Sequence, residues 1–247
     1  MKLDSLITAP WNENQQIVKE ETVEVTDKYV GNDGIMTLKG MLDVMQECAH
    51  EHLSAVNLSV EKLMEKGMML FVTRISCKMS RMPRKNEVLQ TKTWTLPERR
   101  AGLLRYHTMD VGNERVIDAV SQWVCVDINT RRLISSQGFV DAWSAPFAEM
   151  ANGCPAPKKL RENCEFTSQN EIIIDENRLD FYGHVNNSEY ASFIGDLRPN
   201  RRRRYIGRTR FFNADQKFFL ILGKIFKLRP SFVGKLGKFR RASLRAP

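Results

Sequence analysis

The sequence predicts an α+β chain, a curved antiparallel sheet wrapped around one central helix, and it predicts that this unit is begun twice. Three observations carry that expectation. A single long apolar stripe, Leu38, Met41, Leu42, Met45, Ala49 and Leu53, recurs at the i, i+3, i+4 and i+7 spacing of a half-buried helix. Four long strand candidates follow it, separated by turn residues as hairpin partners are. A strand–turn–helix order then returns near residue 171, where Ile172, Ile173 and Ile174 lead toward a second short helix face.

Taken in order, Val23, Val25 and Tyr29 alternate with polar residues as a first strand, and Gly31-Asn32-Asp33-Gly34 is a strong turn signal. Thr37 stands where a helix N-cap belongs. Cys48 and His52 border the stripe. Four apart on a helix they could form one edge of a metal site, but no third or fourth ligand is evident. The strand candidates run from Met69 to Ser80, Glu87 to Leu96, Leu103 to Asp110 and Val116 to Ile128. In the last, Ala119, Ser121, Trp123 and Cys125 alternate with Val120, Gln122, Val124 and Val126. Both sets contain apolar residues, so this strand is expected to be central and covered on both faces. Residues 139–166, interrupted by Pro146, Gly153, Pro155 and Pro157, read as a linker that Trp143 and Phe147 pin to the sheet.

The domain reading is therefore an amino-terminal helix-in-sheet unit over 1–138, a linker over 139–166, the start of a second unit over 167–196, and a tail over 197–247. Charge separates that tail from the rest. It holds 16 of the 38 Lys and Arg but only one of the 29 Asp and Glu, so it carries +15 against −6 for the preceding residues. No apolar stretch reaches the about 20 residues that cross a bilayer. The amino-terminal residues show no signal peptide pattern. Five cysteines at scattered positions read as reduced thiols of a cytoplasmic protein rather than a disulfide frame.

The chemistry is concentrated between Leu179 and Asp196. Asp180, Tyr182 and His184 alternate, so an extended backbone would turn them to one side. A carboxylate and an imidazole on one face can orient and deprotonate a water molecule. Asn186 and Asn187 follow, and Asn187 or Ser188 can cap a helix whose apolar face is Tyr190, Phe193 and Ile194. N–H groups at such a helix start favour a developing oxyanion. The same residue types also suit a polar loop that does no more than close a turn and cap a helix.

The run His184-Val185-Asn186-Asn187 with Tyr190 behind it and Asp180 before it resembles the signature of the acyl-acyl carrier protein thioesterases, the plant Fat-type enzymes and their bacterial relatives. Phe71-Val72-Thr73-Arg74, Trp94, Trp123-Val124 and Thr130-Arg131-Arg132-Leu133 fall in the same family order. The likeness spans Val23 to Asp196. It implies a tandem hotdog fold, here with the second hotdog incomplete, and release of free fatty acid from acyl carrier protein. It further implies that Asp180 orients, His184 handles the water proton, Tyr182 donates toward substrate, and the backbone near Asn186 and Asn187 receives the oxyanion. The first unit would supply the acyl pocket, from the helix face of Met41, Met45 and Ala49. No cofactor or metal is implied, and Arg131 and Arg132 are candidate contacts for an acidic carrier protein.

Two departures from the family pattern stand out. Tyr182 and Arg178 replace an Asn and an Asp, and no second set of strands is recognisable after Asp196. At face value Lys217 to Leu228 has the spacing of a basic amphipathic helix, which would allow weak contact with a membrane surface; a disordered tail is the competing reading. No nucleic acid partner is expected, and a homodimer stays open. The rivals to an enzyme are an acyl-binding or interaction protein that keeps the motif and has lost the chemistry, and a protein whose basic tail contacts membrane or nucleic acid.

Overall fold

The computed structural model describes residues 17–98, 102–148, 151–158, 171–172, 176–179 and 185–196, with 211–212, 217–221 and 242–243. The central helix forms where the stripe begins. Thr37 is extended (φ −83°, ψ 162°), and its hydroxyl accepts the Gly40 N–H at 2.9 Å, starting α1 (Leu38–Ala55). The turn before it closes through the Gly31 N–H to the Ile35 carbonyl and the Gly34 N–H to the Gly31 carbonyl, both 2.9 Å. Gly40 is required by contact: a Cβ there would lie 2.2 Å from the Tyr29 carbonyl oxygen. The helix therefore lies directly on the chain that precedes it.

The four strands appear as β2 (Met68–Met79), β3 (Val88–Pro97), β4 (Gly102–Val111) and β5 (Glu114–Asp127). β1 (Lys19–Glu24) pairs with β3 and stops short of Val25 and Tyr29, which are buried but lie beyond the ladder. All pairings in the sheet are antiparallel, and β5 lies between β4 and β2. Its central place explains why both of its faces are apolar. Met41, Leu42, Val44 and Met45 of α1 pack with Val72, Ile75, Ile117 and Met109 in the main core.

Three features differ from the sequence expectation. A short α2 (Val60–Glu65) with Leu63 buried links α1 to β2; six residues are too few to show a helical period. The expected linker opens with α3 (Gln137–Ala142), and its aromatics join a second core. Trp143 stacks on Phe147 with ring centroids 5.1 Å apart, beside Leu53, Leu63, Leu70 and Leu103. Finally, Lys217–Ile221, where helical spacing suggested an amphipathic helix, is strand β8. It pairs with Arg74–Lys78 of β2, and β7 (Phe211–Phe212) pairs with it. Without β8, β2 would present unpaired backbone groups on that side, and Phe and Ile suit a strand as well as a helix stripe.

Of the second unit, β6 (Glu171–Ile172) pairs with β9 (Ala242–Ser243), and α4 (Asn187–Asp196) packs against α1. Residues 173–175 of the expected strand lie outside the described residues. The architecture is a hotdog: one antiparallel sheet with its long helix, and a second helix laid on the first.

Candidate functional site

The site is assembled at the start of α4. Asn186 caps this helix, one residue before the sequence expectation. Its Oδ1 accepts the Ser188 N–H at 3.2 Å, while its own N–H donates to the Arg178 carbonyl at 2.8 Å. The Asn186 N–H is thus committed, and Asn187 holds the first N–H that α4 leaves without an intrahelical partner. Gln46 of α1 donates from Nε2 to the same Asn186 Oδ1 at 3.0 Å. Just upstream, Leu179 and Val185 form an antiparallel bridge. Asp180, Tyr182 and His184 fall between them, outside the described residues.

Charge holds α4 against α1. Glu189, 9% exposed, lies 3.3 Å from both Lys39 Nζ and Arg178 Nη1, and Lys39 also reaches Asp43 at 2.8 Å. A carboxylate in the first turn also suits the positive end of the helix dipole. With Ser188 fully buried, this clamp gives Asn186 and Asn187 a fixed position relative to α1.

Beside them a cavity of about 90 Å³ opens. Its mouth carries Gln46, the exposed His50, Asn186 and Asn187. Its walls are Ala49, Leu53, Leu63, Leu70, Leu103 and Phe139. Such a volume exceeds what one water needs and suits a run of methylenes. Of the residues the sequence placed along the pocket, Ala49 lines this slot. Met45 lines a smaller neighbouring cavity of about 10 Å³, which Asn187 also touches. Met41, 2% exposed, is packed in the main core and borders neither cavity.

Sequence reasoning missed the polar floor of the slot. Thr95 of β3 and Arg105 of β4 are directly opposite in the ladder, 2% and 4% exposed, and both line the cavity. Arg105 Nη1 donates to His52 Nδ1 at 3.1 Å and to Thr93 Oγ1 at 3.4 Å. A guanidinium only donates, so His52 accepts at Nδ1 and carries its proton on Nε2. Burial lowers the Arg105 pKa to about 9, which leaves it cationic at neutral pH. Burial also drives His107 well below the ordinary histidine range, helped by the neighbouring Arg105 and His52. The available signal was register: in the alternation of β4, Arg105 shares a side with Leu103, facing the core.

Cys48 and His52 do not form a metal edge. Cys48 Sγ lies 3.1 Å from Thr91 Oγ1, and burial raises its pKa to about 11, so it stays a thiol; His52 is engaged by Arg105. Among the described residues no group of three His, Cys, Asp or Glu is placed to hold a metal ion. Cys48, Cys77, Cys125 and Cys154 are free and buried. No helix among the described residues is long and apolar enough to cross a membrane.

The fold is similar to several solved structures. A putative oleoyl thioesterase from Lactobacillus plantarum matches with TM-score 0.64 and 19% identity, over 76% of this chain and 72% of that one. An acyl-ACP thioesterase from Bacteroides thetaiotaomicron matches with TM-score 0.63 and 19% identity, over 81% and 76%. A 12:0-ACP thioesterase from Umbellularia californica matches with TM-score 0.59 and 19% identity, over 73% and 74%. At that identity the likeness establishes the fold. Comparison with curated protein sequences finds no match. The family model of the acyl-ACP thioesterase N-terminal domain matches residues 17–137, the span from the first strand to the start of α3. Residues 17–137 of this chain thus belong to the acyl-ACP thioesterase family, as its amino-terminal domain.

Proposed function

We propose that this chain hydrolyses the thioester of fatty acyl groups borne on acyl carrier protein, in the cytoplasm, and releases free fatty acid. One observation carries the reading: an apolar slot, lined by Ala49 and leucines, opens beside the capped amino-terminus of α4. An aliphatic chain gains about 0.8 kcal/mol for each methylene taken from water, so the slot binds the part of the substrate that does not react. The scissile carbonyl is left at the mouth, near Asn187.

In the proposed mechanism His184 accepts a proton from water, whose oxygen attacks the carbonyl carbon. Asp180 orients the imidazole and favours its cationic form. The oxyanion is met by the open Asn187 N–H and the dipole of α4, with Asn186 positioning that turn and Tyr182 donating toward the substrate. When the intermediate collapses the C–S bond breaks. The carrier thiolate leaves and takes the proton from His184. In the sequence His184 directly precedes Val185 and stands two residues before Asn186. Arg131 and Arg132, both exposed after β5, are offered as contacts for the acidic carrier.

The test is steady-state hydrolysis of an acyl-ACP series of increasing chain length. Turnover that falls at least a hundredfold in His184→Ala, with the preferred chain shortened by Ala49→Phe, supports the reading. Binding of acyl-ACP without cleavage by the wild type would replace it with an acyl-binding protein.

A further inference from the structure

The slot has apolar walls but a polar floor, and a plain alkyl chain uses only the walls. Across β3, β4 and β5 the ladder aligns Thr95, Arg105 and Ser121 in one row, each at most 4% exposed. Ser121 is satisfied. Its hydroxyl donates to the Arg105 carbonyl at 3.3 Å and accepts Trp123 Nε1 at 2.7 Å. Thr93, in the next row, donates to the Tyr106 carbonyl at 2.9 Å. Thr95 differs: its buried Oγ1 has no hydrogen-bond partner, and the residue lines the slot.

Arg105 is similarly underused. Both of its hydrogen bonds leave from Nη1, toward His52 and Thr93, and no carboxylate among the described residues pairs with it. Nε and Nη2 are left with donor capacity beside the cavity. A buried cation without a counter-charge and a buried hydroxyl without a partner are each costly, and the two are cross-strand neighbours. What both need from a ligand is an acceptor oxygen. A saturated chain would bury them against methylenes and leave them unsatisfied.

We infer that the floor of the slot recognises an oxygen carried on the acyl chain, bound between Arg105 and Thr95. The preferred substrates are then oxygenated acyl groups, bearing a hydroxyl, an oxo group or a terminal carboxylate. The inference rests on the proposal that the slot takes an acyl chain, but it concerns binding and not hydrolysis. Arg105 and Thr95 act here as specificity residues, away from the reacting carbonyl.

The experiment is equilibrium binding, by calorimetry, of non-hydrolysable acyl-pantetheine amides to the full chain. The probes are a plain dodecanoyl amide and dodecanoyl amides with a hydroxyl or oxo group at successive carbons or a terminal carboxylate. At least one oxygenated probe is expected to bind tenfold or more tightly than the plain one, and the arms identify which oxygen and where. Thr95→Val, which keeps the side-chain shape, and Arg105→Met are expected to reduce that preference to near unity while the plain probe binds as well or better. Unfolding curves verify that each variant folds; if Arg105→Met does not, Thr95→Val decides. If the plain probe binds as well as every oxygenated one, the inference is overturned and the acyl slot stands. If no probe binds, the acyl slot falls with it.

Discussion

The two helix starts in this molecule, Thr37 before α1 and Asn186 before α4, follow the same local recipe and end in different surroundings. At each, the cap side-chain oxygen accepts an N–H of the first turn. At α1 the start is sealed. Gly40 sits against the Tyr29 backbone, the Thr37 hydroxyl also donates to the Tyr29 carbonyl at 3.3 Å, and the core closes around Met41 and Val44. At α4 the start opens onto a cavity, and the cap is held by Gln46 from the neighbouring helix. A capped helix start becomes a binding site only where packing leaves space in front of it. The Asn32-Asp33 turn of the first unit has the polar residues but is exposed, lines neither cavity and has no histidine.

Perturbing each side in turn sharpens this contrast. The largest effect is expected from His184→Ala on the α4 side, a loss of about 10²–10⁴ in turnover with the melting temperature unchanged. No change in rate would remove the imidazole from the mechanism. Next comes Gly40→Ala on the α1 side, where the added methyl meets backbone. It should cost about 1–3 kcal/mol, lowering the melting temperature by several degrees. A stable variant would show that the α1 start is not sealed.

The caps themselves give a matched pair. Thr37→Ala and Asn186→Ala should each cost about 1–2 kcal/mol in urea unfolding, since each loses its cap bond and one further hydrogen bond, to the Tyr29 carbonyl or from Gln46. Only Asn186→Ala should also reduce kcat, by roughly tenfold, because only that cap borders the slot. Equal effects on rate would erase the distinction drawn here.

The smallest effect is in pH dependence. His107 stays neutral in the fold because burial, Arg105 and His52 all disfavour its charge. Its folded pKa lies below the unfolded value of about 6.5, so the unfolded chain gains the proton first. Stability is full above that pH and declines as pH falls through it toward the folded pKa. In His107→Gln, denaturant titrations should show a shallower decline. An unchanged slope would mean the acid sensitivity arises elsewhere.

Much of the first unit was legible because its signals are local and repeated. The stripe from Leu38 to Leu53, the glycine turn before it and the two-sided apolarity of Val116 to Ile128 each point to one structure. The i, i+4 spacing of Cys48 and His52 suggests a metal edge, but spacing carries no trace of their separate partners, Thr91 on β3 and Arg105 on β4. Residues 217–221 went the other way. Phe218, Ile221 and Leu222 satisfy a helical period, yet 217–221 pair with β2, because a strand edge far away in sequence offered them hydrogen bonds. The α4 cap shifted by one residue because adjacent Asn186, Asn187 and Ser188 are all good cap formers. Tertiary contact with Gln46 and the Arg178 carbonyl selected among them.

By itself, then, the sequence determined the helix-in-sheet order of the first unit and the concentration of catalytic residue types between Asp180 and Asn187. Periodicity, turn chemistry and motif spacing are properties of neighbouring residues. Only the tertiary structure decided that Ala49 faces the slot while Met41 fills the core, and that Thr95 and Arg105 meet on its floor. Those facts depend on strand register and on how α1 packs against the sheet and α4. Both are set by contacts between residues separated by many positions in the chain, which no local pattern encodes.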